Sequence, residues 1–137
     1  MAALAAARNT PTALGDVRTI PLAAGAKVYA GGMVQIAAVS ALAVAAGAVA
    51  ANVTVGRAEA TVDNTAGAAS AVSVKVRRGV FRYANSAAGD LIARTEIGKT
   101  VYVVDDQTVA KTNNAGARPA AGTCFDVDAQ GVWVEFL

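Results

Sequence analysis

From Val17 onward the hydrophobic positions recur with period two rather than 3.6, which is the pattern of strands with one buried face. The cleanest alternation is Val72-Ser73-Val74-Lys75-Val76-Arg77, with the valines on one side and Lys75 and Arg77 on the other. Val17-Arg18-Thr19-Ile20 predicts a strand stopping at Pro21, and Lys27-Val28-Tyr29-Ala30 predicts another after Gly25. The Gly31-Gly32 pair turns the chain into Met33-Val34-Gln35-Ile36, which pairs as a hairpin with the run 41–44. A longer run over 53–62 carries Gly56 as a bulge position, and 63–67 reads as a loop. Gly79 breaks the phase before Val80-Phe81-Arg82-Tyr83, and 84–95 predicts a short helix or an irregular crossover. Residues 100–104 then return through a turn at Asp105-Asp106 to 107–110, and 111–118 form a loop. A last hairpin joins 122–128 to 132–136 across Ala129-Gln130-Gly131. The expectation is an all-β fold, a small β-barrel or tulip-like sandwich of short strands with at most one short helix.

Residues 1–16 have no such period. Met1 to Ala7 are small and apolar, and Arg8-Asn9-Thr10-Pro11-Thr12 breaks any regular pattern. Seven uncapped residues are too few for an isolated helix, despite their alanine content. The chain therefore divides into an extended N-terminal arm, 1–16, and a β domain, 17–137. Fully extended, such an arm reaches up to roughly 50 Å.

Composition narrows the function. Hydrophobic residues make up 55% of the 137 positions but aromatics only 5%, so the apolar share is mostly alanine and valine. A small domain with few bulky side chains buries little apolar area, and association with further copies is the usual remedy. Histidine is absent, which removes hydrolases with a histidine base and metal sites built on imidazole. The single cysteine, Cys124, excludes an intrachain disulfide or a thiolate metal cage, and beside Phe125 it reads as a small buried hydrophobe. A net charge of +2 is too small to argue for nucleic acid. No charge lies between Lys27 and Arg57, but Ala and Gly dominate that stretch and Gly31, Gly32 and Gly47 interrupt it, which argues against a membrane span. The first seven residues lack the basic start and long apolar core of a secretory signal, so the Asn52-Val53-Thr54 sequon is expected to be incidental.

Three segments imitate chemistry. Ala93-Arg94-Thr95-Glu96-Ile97-Gly98-Lys99-Thr100 is one residue from a phosphate-binding loop, but a β-branched run follows where a helix is required. Asp126-Val127-Asp128-Ala129-Gln130-Gly131 resembles the opening of a calcium loop, yet the twelfth position is Leu137 instead of a bidentate Glu. Asp105 and Asp106 do not converge as a carboxylate pair, because they sit at a turn. No catalytic constellation, metal site or cofactor motif survives, and the expectation is a protein that is not an enzyme and takes no small-molecule substrate. Lys75, Arg77, Arg78 and Arg82 are the only local concentration of charge, readable as a solvated strand face or as a contact with an acidic protein surface.

Several stretches, in order from about residue 17 to the end, resemble capsid cement (decoration) proteins of tailed bacteriophages. They are Pro21-Leu22-Ala23-Ala24-Gly25-Ala26 with Tyr29-Ala30-Gly31-Gly32, Arg78-Gly79-Val80-Phe81-Arg82, Ile97-Gly98-Lys99-Thr100 with Tyr102-Val103-Val104-Asp105-Asp106, and Asp126-Val127-Asp128 with Gly131-Val132-Trp133-Val134. The resemblance implies a homotrimer on the outer surface of the expanded head, stabilising the shell of the virion without catalysis, with the major capsid protein as partner. An extended arm suits this role because it can add a strand to an exposed edge of the shell protein. The expected partner contacts are Arg8, Asn9, Thr10, Pro11 and Thr12 of the arm, with Lys75, Arg77 and Arg78 of the basic strand. Residues 38–51 are richer in alanine than the family pattern. The alternative is another virion component of the tail, neck or head fibre.

Overall fold

A computed structural model describes residues 2–136; Met1 of the arm and Leu137, the twelfth position of the calcium-loop comparison, lie outside them. With 41% of the chain in strands and 4% in helical turns, the fold is an all-β sandwich. One sheet holds β1 (Val17–Pro21), β3 (Met33–Ile36), β4 (Ala43–Ala45), β5 (Val53–Ala58) and β7 (Ser73–Arg77) in the order β1-β7-β5-β3-β4. The other holds β8 (Gly79–Tyr83), β9 (Thr100–Val103), β10 (Val109–Ala110), β11 (Ala120–Asp128) and β12 (Gly131–Phe136) in the order β10-β9-β11-β12-β8. A small ribbon pairs β2 (Lys27–Val28) with β6 (Val62–Asp63). The strands within each sheet pair antiparallel.

The barrel alternative is not realised. Closure requires the two edges of a sheet to bond to one another. In the first sheet one edge, β1, ends at Pro21, which has no N–H to donate, and the other, β4, has three residues. Alternation does set the buried face: Val74 and Val76 are buried while Lys75 is exposed. The hairpin of β3 and β4 forms as expected, with Val34 opposite Ala45 and Ile36 opposite Ala43. The bulge expected at Gly56 is also present: Val34 faces Gly56 while Gln35 faces Thr54, so Val55 is the extra residue.

The segment 84–95 resolves as the crossover rather than a helix. It holds two single turns of 3-10 helix, Ala88–Asp90 and Arg94–Glu96, each preceded by an alanine that supplies no side-chain cap. Between them Ile92 is buried, held by the Asn85 side chain, which donates to the Ile92 carbonyl at 2.8 Å and accepts from its N–H at 2.9 Å.

Two hydrophobic clusters result. One gathers Val74, Val76, Ile20, Val34 and Val55 of the first sheet with Leu22 and Val28. The other gathers Val101, Val103, Val132, Val134, Phe136 and Cys124 of the second, and Met33 and Ala46 reach into it from the first half of the chain.

Candidate partner-binding surface

Residues 2–16 form no regular element and are exposed throughout, including Leu4 and Leu14 at 75% and 97%. Arg8, Asn9, Thr10, Pro11 and Thr12 are all exposed and make no hydrogen bond among the described residues. Pro11 denies the segment one N–H, and no hydrophobic period gives it a face to bury.

The root of the arm, by contrast, is fastened to the basic strand. Arg78 donates from its side-chain Nε to the Gly15 carbonyl at 2.9 Å and from its backbone N–H to the Asp16 carbonyl at 2.8 Å. Arg77 reaches the Asp16 carboxylate at 3.4 Å and donates from Nε to Glu59 at 2.6 Å. Glu59 also takes Arg57 at 3.1 Å, and the Arg57 guanidinium lies over the Phe81 ring, 4.1 Å from its centre. Partial burial of Glu59 opposes ionisation, but the hydrogen bonds from Arg77 and Arg57 outweigh it and hold the carboxyl below its usual range.

The two groups of expected contacts are thus separated in role by the geometry. Arg77 and Arg78 spend their donors on residues 15, 16 and 59, while Lys75, opposite Thr19 in the register, is exposed and has no acidic partner within 4.0 Å among the described residues. Arg82, the fourth member of the cluster, sits 5.5 Å from the Trp133 ring centre and 3.9 Å from Asp128. Asp16 and Glu59 did not stand out in the sequence, since their partnership with Arg77 depends on the pairing of β7 with β1 and β5, across 61 residues for Asp16 and 18 for Glu59.

The segments that imitate chemistry have structural uses. Lys99 pairs with Glu96 at 3.7 Å, and Thr100 opens β9, so no helix start gathers backbone amides there. Asp128 accepts from the N–H groups of Gln130 and Gly131 and from the Trp133 indole at 2.8, 3.1 and 2.8 Å, while Asp126 takes Arg94 at 3.1 Å. Asp128 thereby shapes the β11–β12 turn, and Asp126 ties β11 to the 3-10 turn Arg94–Glu96. Asp105 likewise accepts from the Gln107 N–H at 3.0 Å. Cys124 is buried and unpaired with another sulfur, and burial raises its thiol pKa. No helix among the described residues is long and apolar enough to cross a membrane. No family model, curated protein or solved structure matches the chain.

Proposed function

We propose that this chain is a capsid decoration (cement) protein of a tailed bacteriophage, binding the outside of the expanded head as a homotrimer and stabilising the shell without catalysis. In this reading the arm pairs with the major capsid protein, and the sandwich is the body that holds the arm in place. The observation that carries it is an arm of small residues standing clear of the sandwich while its root is fastened at Gly15 and Asp16. A free extended segment on a rigid base is what strand addition to a foreign sheet edge requires. The sequence resemblance, running from about residue 17 to the end, supplies the identity of that partner. Such a role works through buried area summed over many copies and calls for no perturbed catalytic group.

Copy number in purified virions, measured against the major shell protein, tests this directly. A ratio near one per shell subunit is the expected result. A few copies per particle moves the chain to the tail, neck or a head fibre, and absence from virions overturns the reading. Deleting residues 2–13, which spares the root, is expected to leave the β signature in circular dichroism unchanged and to lower occupancy on heads.

A further inference from the structure

A groove of about 370 Å³ runs beside the start of β5, between Ala50, Val53 and Thr54 on one side and Thr100, Thr123 and Glu135 of the second sheet on the other. Thr123 lies opposite both Thr100 and Glu135 in the register, so these three make one row across β9, β11 and β12. The groove is uncovered: Val53 is 62% exposed, and Val49 nearby in sequence is 52% exposed. β7 pairs with β5 only at Arg57 and Ala58, so Val53 and Thr54, which line the groove, have no paired strand on that side. The Glu135 carboxylate in the groove has neither an ion pair nor a hydrogen bond among the described residues, whereas most of the chain's other acids have a basic partner.

The arm carries the complementary pattern. In an extended segment, alternate residues share a face, so Leu4, Ala6 and Arg8 point one way and Ala3, Ala5 and Ala7 the other. One face offers an apolar side chain and a cation, and the other is methyl groups that fit a narrow slot. Arg8 is exposed and is the only charged side chain in residues 2–15. The arm of the same copy does not fill the groove: none of residues 2–16 lines it, and Leu4 is 75% exposed.

We propose that in the free protein this groove receives the arm of a second copy, with Arg8 on Glu135, Leu4 against Val53 and the arm backbone beside β5. Head-to-tail exchange of this kind closes into a ring when the rotation between copies permits. It goes beyond the shell reading: the arm is sheltered in a sister copy's groove in solution and becomes available to the shell protein on docking. Storage of this kind also hides a segment that is otherwise free to pair with any open edge.

Sedimentation of the full-length free protein, wild type against Arg8→Glu, Glu135→Arg and the double reversal, tests the charge match. Each single reversal is expected to weaken self-association by at least about tenfold in Kd, and the double variant to recover it. A monomeric wild type, or single reversals without effect, overturns the proposal. Circular dichroism checks each variant, and a second measurement needs no charge change. Leu4→Cys with Val53→Cys, mixed as two chains of different tag length and oxidised, is expected to give a disulfide band joining one chain of each length. A disulfide only within single chains, or none, overturns the assignment to a second copy. Occupancy of heads by Glu135→Arg, whose arm is intact, separates the two readings: it binds heads if the shell reading holds, whatever its state in solution.

Discussion

At the scale of single residues, Gln35 shows how a polar side chain is made compatible with full burial. Its Nε2 donates to the Gly47 carbonyl at 3.1 Å and to Thr54 Oγ1 at 3.3 Å, and its Oε1 accepts from the Gly47 N–H at 3.1 Å and from Asn52 at 3.3 Å. One amide thereby ties β3 to the loop between β4 and β5, the stretch unusually rich in alanine. Gln35→Leu leaves these partners unsatisfied and is expected to destabilise the fold by about 2–4 kcal/mol, read from urea denaturation. A change below about 0.5 kcal/mol would mean that water replaces the amide at no penalty. The alternation identified Gln35 as a strand residue but gave no sign that it is buried. That depends on where the loop 46–52 folds back and on Thr54 of β5, which no local pattern encodes.

At the scale of elements, the close approach of β5 to β7 depends on one glycine. Gly56 has φ of +147°, and a Cβ there would sit 2.4 Å from the Arg77 carbonyl oxygen. Gly56→Ala therefore meets both a forbidden conformation and a backbone collision, and is expected to lose about 2–4 kcal/mol of stability, measured as the shift in the urea midpoint. Retained stability would mean that β7 can move away without loss. The sequence made β1, β3, β7, β9 and the closing hairpin legible because each is a short alternating run bounded by Gly, Pro or Asp. Strand order was not legible, since β1 finds β7 across a gap in which three other strands of the same sheet are made. The two irregularities of β11 were equally hidden: its register slips between Ala120 and Gly122 against β9 and between Cys124 and Asp126 against β12, and the second leaves Phe125 57% exposed. For the candidate surface, the arm was readable from its lack of period and the basic strand from its charges. The fastening of one to the other was not, because it rests on the register of β1 against β7.

At the scale of the whole molecule, the carboxylates give stability a defined pH dependence. Asp63 is held low by the Thr65 N–H and hydroxyl, Asp90 by the Thr112 hydroxyl and Arg118, and Asp128 by the Trp133 indole and the Gln130 N–H. Glu59 is low on balance through its arginines. A carboxyl whose pKa is lower in the folded state stabilises fully above its unfolded value, near 4, and loses that contribution as pH falls through the folded value. Burial pushes Cys124 and Tyr83 the other way, so their contribution is present at neutral pH and declines as pH rises past about 8.5 and 10. Tm is therefore expected to be level between about pH 5 and 8 and to fall on both sides. A Tm unchanged down to pH 2 would show that these ties add nothing to the folded state.

The boundary at Arg78 has a consequence for how the chain is made. Every strand of the first sheet lies within residues 17–77 and every strand of the second within 79–136, and each sheet has its own hydrophobic cluster. A ribosome releasing the chain from its N-terminus delivers a complete first sheet before any of the second has emerged. During that interval Met33 and Ala46, which belong to the later cluster, face water, and β12, the partner of β8, has not been synthesised. The order of synthesis is thus an order of assembly, and β12, made after every other strand of the two sheets, seats itself between β11 and β8 and completes the second sheet.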